Sequence, residues 1–240
     1  MPNLLKFNQE THPQIQPVRS FVRREGRITP AQKKALEQLW PLYGIDLRAE
    51  YLNLELIFNR EAPRILEIGF GNGESLIQQA RTRPETDFLG VEVYQPGVGR
   101  LLACLETEGL KNVRVICADA WNVLQCYIVD RSLDGVQIFF PDPWPKKRHH
   151  KRRLIQTPFV DLIWHKIKPY GWLHLATDWQ NYATQMMAVL SQYPGFYNLA
   201  GKGNFTQSCG QRPSTKFERR GRDQGNLVWD LIFKRSESTY

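Results

Sequence analysis

The chain has 240 residues, 42% hydrophobic and 23% charged, with a formal net charge of +8. That length supports one substantial core, that composition excludes a disordered chain, and no apolar run reaches the roughly 20 residues of a bilayer-spanning helix. The positive balance favours a polyanionic partner, and the polar stretch Met1–Pro17 lacks an apolar signal segment, so a cytoplasmic protein without membrane association is expected.

Residues 1–20 show little periodicity. Thr29-Pro30-Ala31-Gln32 reads as a helix start, with Thr29 as N-cap, Pro30 at N1 and Gln32 at N3. That helix is expected to end near Trp40, before Pro41. Residues 1–44 therefore read as an N-terminal extension and 45–240 as a single domain. From Arg64 onward, strand patterns at Arg64–Ile68, Phe88–Val93, Val113–Ala118, Leu133–Phe140 and Trp172–Thr177 alternate with helical ones at Glu74–Arg81, Gly97–Glu108, Phe159–Lys166 and Asn181–Gln192. Thr157 is the expected N-cap of the third of these helices. Such alternation predicts a parallel sheet with helices on both faces. Phe196–Leu199 and Leu227–Phe233 have no helix between them and predict an antiparallel hairpin, which makes seven strands.

Chemistry-bearing residues fall at the carboxyl ends of these strands, where open α/β sheets bind ligands. Gly69, Gly71 and Gly73 follow the first strand, a spacing that lets backbone approach a ligand closely and differs from the dinucleotide fingerprint. Glu67, Glu92 and Asp119 mark three successive strand ends. Three acids suit a nucleoside carrying positive charge, such as the sulfonium of S-adenosylmethionine, and suit a pyrophosphate badly.

The fourth strand runs into Phe140-Pro141-Asp142-Pro143-Trp144-Pro145. Each proline biases the residue before it toward extended backbone, so a stiff rod presenting Asp142 is expected. A cationic block follows at Lys146, Lys147, Arg148, His149, His150, Lys151, Arg152 and Arg153, suited to a phosphate backbone. Arg19, Arg23, Arg24 and Arg27 form a second basic cluster. The adjacent histidines diverge and have no third ligand spaced to help, so no metal site is expected. Cys104, Cys117, Cys126 and Cys209 form no Cys-x-x-Cys pair and read as reduced thiols.

Glu67-x-Gly69-x-Gly71-x-Gly73, Gly90-Val91-Glu92-Val93 and Pro141-Asp142-Pro143-Trp144 resemble motifs of the bacterial tRNA (guanine-N7-)-methyltransferases. So do Arg19-Ser20-Phe21-Val22-Arg23-Arg24, Tyr94–Gly99, Arg148–Arg153, Ala176-Thr177-Asp178-Trp179 and Thr215-Lys216-Phe217-Glu218, and the likeness runs from about residue 19 onward. The resemblance implies a Rossmann-like class I methyltransferase fold. It implies S-adenosylmethionine as methyl donor, S-adenosylhomocysteine as product, no metal, and a target guanine in the tRNA variable loop. It places Glu67, Glu92 and Asp119 on the donor and Asp142 at the junction of donor and guanine. Lys146, Asp178, Thr215, Lys216, Phe217 and Glu218 would serve the substrate, and Arg148–Arg153 would touch RNA. No obligate protein partner is implied. Methylation of another RNA nucleophile, or RNA binding without catalysis, are the alternatives.

Overall fold

The computed structural model describes residues 20–21, 27–48, 50–207, 212–213, 218 and 227–237. The expectations placed on Arg19, Arg23, Arg24, Cys209, Thr215, Lys216 and Phe217 lie outside the described residues.

Seven strands form one sheet in the order β3-β2-β1-β4-β5-β7-β6. Strands β1 (Arg64–Ile68), β2 (Asp87–Val91), β3 (Val113–Ile116), β4 (Leu133–Phe139) and β5 (Ile167–Thr177) run parallel. β6 (Phe196–Asn198) pairs antiparallel with β7 (Trp229–Arg235), which inserts between it and β5. The expected hairpin is therefore present and closes one edge of the sheet.

Side chains alternate across the strands, so the sheet carries two apolar faces. Ile65, Phe88, Val113 and Val115 pack with α1 (Pro30–Tyr43), α3 (Glu74–Thr82) and α4 (Gln95–Glu108). Leu66, Leu89, Ile116, Val136 and Leu173 pack with α2 (Leu54–Phe58), α5 (Ala120–Cys126), α6 (Thr157–Lys166) and α7 (Gln180–Gln192).

The structure corrects several expectations. Helix α1 starts with the expected capping box at Thr29 and Gln32 but continues through Pro41 to Tyr43. Proline removes one amide bond near the helix end. Burial of Tyr43, whose hydroxyl donates to Glu106 at 3.1 Å, and a Gly44 N–H bond to Trp40 O at 2.7 Å hold the last turn. Helices α2 and α5 escape a periodicity search because they are five and seven residues long. The N-cap of α6 is Gln156 rather than Thr157. Strand β5 begins at Ile167, five residues before the expected Trp172, and β7 ends at Arg235 rather than Phe233.

Candidate functional site

Because β1 to β5 are parallel, their carboxyl ends leave the sheet on one side. The register aligns Ile68 with Val91 and Ile138, Val91 with Ile116, and Phe139 with Ala176. The strand order reverses between β1 and β4, the place where such sheets open a crevice. Among the described residues, every sequence-predicted site residue but Glu218 follows or closes one of these ends or belongs to the block after Asp142, and Glu218 precedes β7.

The turn after β1 is a left-handed path. Gly69, Gly71 and Gly73 have φ of +74°, +58° and +79°, a region that costs a residue with a side chain roughly 1–2 kcal/mol. A β-carbon on Gly69 or Gly71 would meet no atom within 4 Å, so both face open space. One on Gly73 would strike Leu101, and one on Gly97 of α4 would strike the Gly71 carbonyl. Gly69 N–H donates to Val91 O at 2.8 Å, which ties the turn to the end of β2.

Glu92 braces the same turn. Its carboxylate accepts from Gly71 N–H at 2.8 Å, Val93 N–H at 2.7 Å and Tyr94 N–H at 3.0 Å. A carboxylate offers about four acceptor positions, so a fourth stays available to a hydroxyl. Asp119 caps α5, accepting on one oxygen from Trp121 N–H at 2.9 Å and Asn122 N–H at 3.2 Å.

Glu67 lies beneath the turn, 2% exposed, rather than at the open end of its strand. Gln137 Nε2 donates to it at 2.5 Å, and Gln79 Nε2 lies at 3.5 Å. Burial pushes its carboxyl up to about 7; hydrogen bonds from Gln137 and Ser75 oppose that rise and the charge on Glu92 adds to it. The sequence reading missed both glutamines. Gln137 had a signal: a polar residue inside the apolar run Val136-Gln137-Ile138 of a strand covered on both faces needs a partner. Burial, and then Glu92, push the Cys117 thiol up to about 12, so it stays protonated beside the site.

The other half of the site follows β4 and β5, and here the expected rod is absent. Phe140 and Trp144, each just before a proline, adopt φ of +53° and +45°. Tertiary contacts override the local preference. Phe140 N–H donates to Ala176 O at 2.8 Å, joining the ends of β4 and β5, and the ring lies 5.3 Å from the Arg212 guanidinium. The Trp144 ring has Arg152 over it at 5.0 Å and His149 edge-on at 5.9 Å, and its Nε1 donates to Ser20 O at 3.0 Å. Asp142 sits half-buried between these two left-handed residues. Its charge reaches Tyr182 of α7, whose hydroxyl accepts from Ile155 N–H at 3.1 Å.

Asp178 follows β5 and is half-buried. Trp179, not Asp178, is the N-cap of α7. In the cationic block Lys147–Arg152 forms a 3-10 turn with Lys146, Lys147, Arg148 and Lys151 exposed. Desolvation and the surrounding Arg148, Arg152, Lys146 and Lys151 lower the pKa of His149, which is therefore neutral at pH 7. Arg153 corrects the sequence reading: it is 2% exposed, donating to Pro143 O, Gln185 and Asn181 at 2.6–2.9 Å. It braces the Pro141–Pro145 segment from inside and points toward α7. Glu218 is likewise buried, paired with Arg212.

The sequence profile of the family described as "Putative methyltransferase" matches residues 61–231. The tRNA (guanine-N(7)-)-methyltransferase of Nitrosococcus oceani is 69% identical over 223 residues, which is 93% of this chain and 93% of that protein. Its counterpart in Alkalilimnicola ehrlichii is 56% identical over 223 residues, 92% of this chain and 94% of that one. Among solved structures, the 16S rRNA methyltransferase KamB superposes with a TM-score of 0.55 at 12% identity, covering 78% of this chain and 94% of that one. At that identity the likeness is one of fold, and it bears out the expected class I methyltransferase architecture.

Proposed function

The chain belongs to the tRNA (guanine-N(7)-)-methyltransferase family, and from that membership we propose that it transfers a methyl group from S-adenosylmethionine to N7 of a guanine in the variable loop of tRNA. One observation carries this reading. Neighbouring parallel strands end in a glycine turn braced by Glu92, after β1, and in Asp142 with its cationic, aromatic block, after β4.

The residues fit a sulfonium nucleoside. Gly69 and Gly71 leave open space over the strand ends, where a β-carbon would intrude. Glu92 keeps an acceptor for a ribose hydroxyl beside the three N–H groups it already holds. Asp119 keeps its second oxygen for the nucleoside base, since capping uses only one. Glu67 supports the turn from below and gains charge when a cation lies above it. When bound, S-adenosylmethionine supplies an electrophilic methyl group.

Guanine N7 carries a lone pair and no proton, so the chain needs no general base for attack. Its task is to hold nucleophile and methyl in line, which lowers the barrier by several kcal/mol. Asp142 and Asp178, from the ends of neighbouring strands, accept from the guanine N1–H and exocyclic amine. They also stabilise the positive charge that grows on the purine. Lys146 and the exposed cations Lys147, Arg148 and Lys151 grip the phosphates, and Trp144 offers a stacking face at their edge. A cytoplasmic location fits a tRNA substrate.

The test is to incubate unmodified tRNA with enzyme and isotopically labelled donor and digest the product to nucleosides. The label is expected in N7-methylguanosine. Label in another nucleoside points to a different nucleophile, and donor binding with no transfer points to an RNA-binding relative without catalysis.

A further inference from the structure

Arg212, which no motif singled out, has its guanidinium buried between the acceptor half of the site and β7. Nε donates to Asp230 Oδ1 at 2.7 Å and Nη2 to Asp230 Oδ2 at 3.1 Å, while Nη1 donates to Glu218. Asp230 lies opposite Ala176 near the carboxyl end of β5 and also meets His174 Nε2 at 2.8 Å. The same guanidinium lies 5.4 Å from the Phe139 ring and 5.3 Å from the Phe140 ring. His174 meets Phe139 edge-on at 5.1 Å. One planar cation thus joins β7, Glu218 and the two aromatic residues that precede Pro141 and Asp142.

Phe140 is left-handed, and a strained residue keeps such a conformation only where its surroundings hold it. Its holders are the Ala176 carbonyl and Arg212. Pro141 then fixes the next φ, so the direction of Phe140 sets the direction of Asp142. We infer that Arg212 is a positioning residue for methyl transfer: it locks the Phe140 turn and thereby aims the Asp142 carboxylate. This rests on the role proposed for Asp142. A fork bonded to two carboxylates and stacked on rings is work that lysine cannot reproduce.

A second buried guanidinium, carried by β7 itself, serves as control. Arg235 lies at the opposite end of β7, over the Trp164 ring at 3.7 Å, with Nη1 donating to Trp164 O at 2.9 Å. The experiment measures turnover on tRNA per titrated donor site, tRNA KM, donor Kd and thermal unfolding for Arg212→Lys, Arg212→Met and Arg235→Lys. Arg212→Lys is expected to keep its fold, tRNA KM and donor Kd within about threefold while kcat falls at least 30-fold. Arg235→Lys is expected to melt earlier with kcat per donor site unchanged. Unchanged kcat in Arg212→Lys overturns the inference, as does an equal kcat loss in Arg235→Lys or failure of both Arg212 variants to fold.

If the wild-type protein transfers no methyl to tRNA, the proposed function falls instead. Arg212 is then judged by the fluorine resonance of 5-fluorotryptophan at Trp144, assigned through Trp144→Phe. A shift in Arg212→Lys, with the Trp164 resonance unmoved, supports the inference, and an unmoved Trp144 resonance overturns it.

Discussion

The donor half and the acceptor half of this site are built in opposite ways. Around β1 and β2 the backbone takes left-handed turns at glycines, and the brace on the turn itself comes from nearby, Glu92 to Gly71. Around β4 the left-handed residues are Phe140 and Trp144, which pay conformational strain of about 1–3 kcal/mol each. Their braces come from afar, Arg212 for one and Ser20 for the other. A small ligand can be met by a turn whose left-handed glycines carry no steric strain. A catalytic carboxylate needs a fixed direction, which the rest of the fold imposes.

The sharpest way to break that comparison is at Asp142. Asp142→Ala is expected to lower kcat on tRNA at least 100-fold, about 3 kcal/mol of transition-state stabilisation, with donor Kd changed less than tenfold. Single-turnover methylation measures it, and unchanged turnover removes Asp142 from the mechanism.

In the donor half, Gly71→Ala is expected to weaken donor binding at least tenfold, about 1.4 kcal/mol, while the fold persists. The new β-carbon meets strain at φ +58° and intrudes on the open face. Calorimetry with S-adenosylhomocysteine reads the change.

Glu67 makes the donor half sensitive to pH. Its carboxyl is raised from the ordinary 4.5 to about 7, so the native state keeps a proton that the unfolded chain has released between those values. That contribution to stability is complete below about pH 4.5 and is lost as pH rises through 7. A bound cation favours the ionised form, so donor affinity is expected to rise from pH 6 to 8, by at most about tenfold per unit. Glu67→Gln is expected to flatten that rise and to raise the melting temperature of the free protein above pH 7. A pH-independent affinity in the wild type would contradict the placement of positive charge near Glu67.

The smallest effects lie on the RNA face. With Arg153 buried, four or five cations of the block remain for phosphates. At roughly 0.7–0.9 log unit per phosphate, log affinity for tRNA should fall with log salt at a slope between about −3 and −4.5. Arg148→Ala is expected to reduce that slope by about one contact, whereas Arg153→Lys lowers the melting temperature and leaves the slope alone.

Legibility in the sequence follows the same division. The strands, the glycine turn and the three acids were readable because each signal is confined to a few neighbouring residues. The position of Asp142 just past the fourth strand was readable, yet the conformation around it was not: pre-proline preference predicts an extended rod, and contacts more than 30 residues away impose left-handed turns. The cationic block looked uniform because charge alone does not reveal that Arg153 points inward to α7. Arg212 and Gln137 matter through partners 18 and 70 residues distant, Asp230 and Glu67; the apolar run around Gln137 signals that a partner is needed, but no local pattern names which one.

The meeting of the two halves is tested most directly by the crystal structure of the protein with S-adenosylhomocysteine. The nucleoside should lie over Gly69 and Gly71 with its ribose on Glu92 and its sulfur facing the Asp142 carboxylate. A ligand seated away from the glycine turn, or one whose sulfur faces away from Asp142, would contradict a single site at these strand ends.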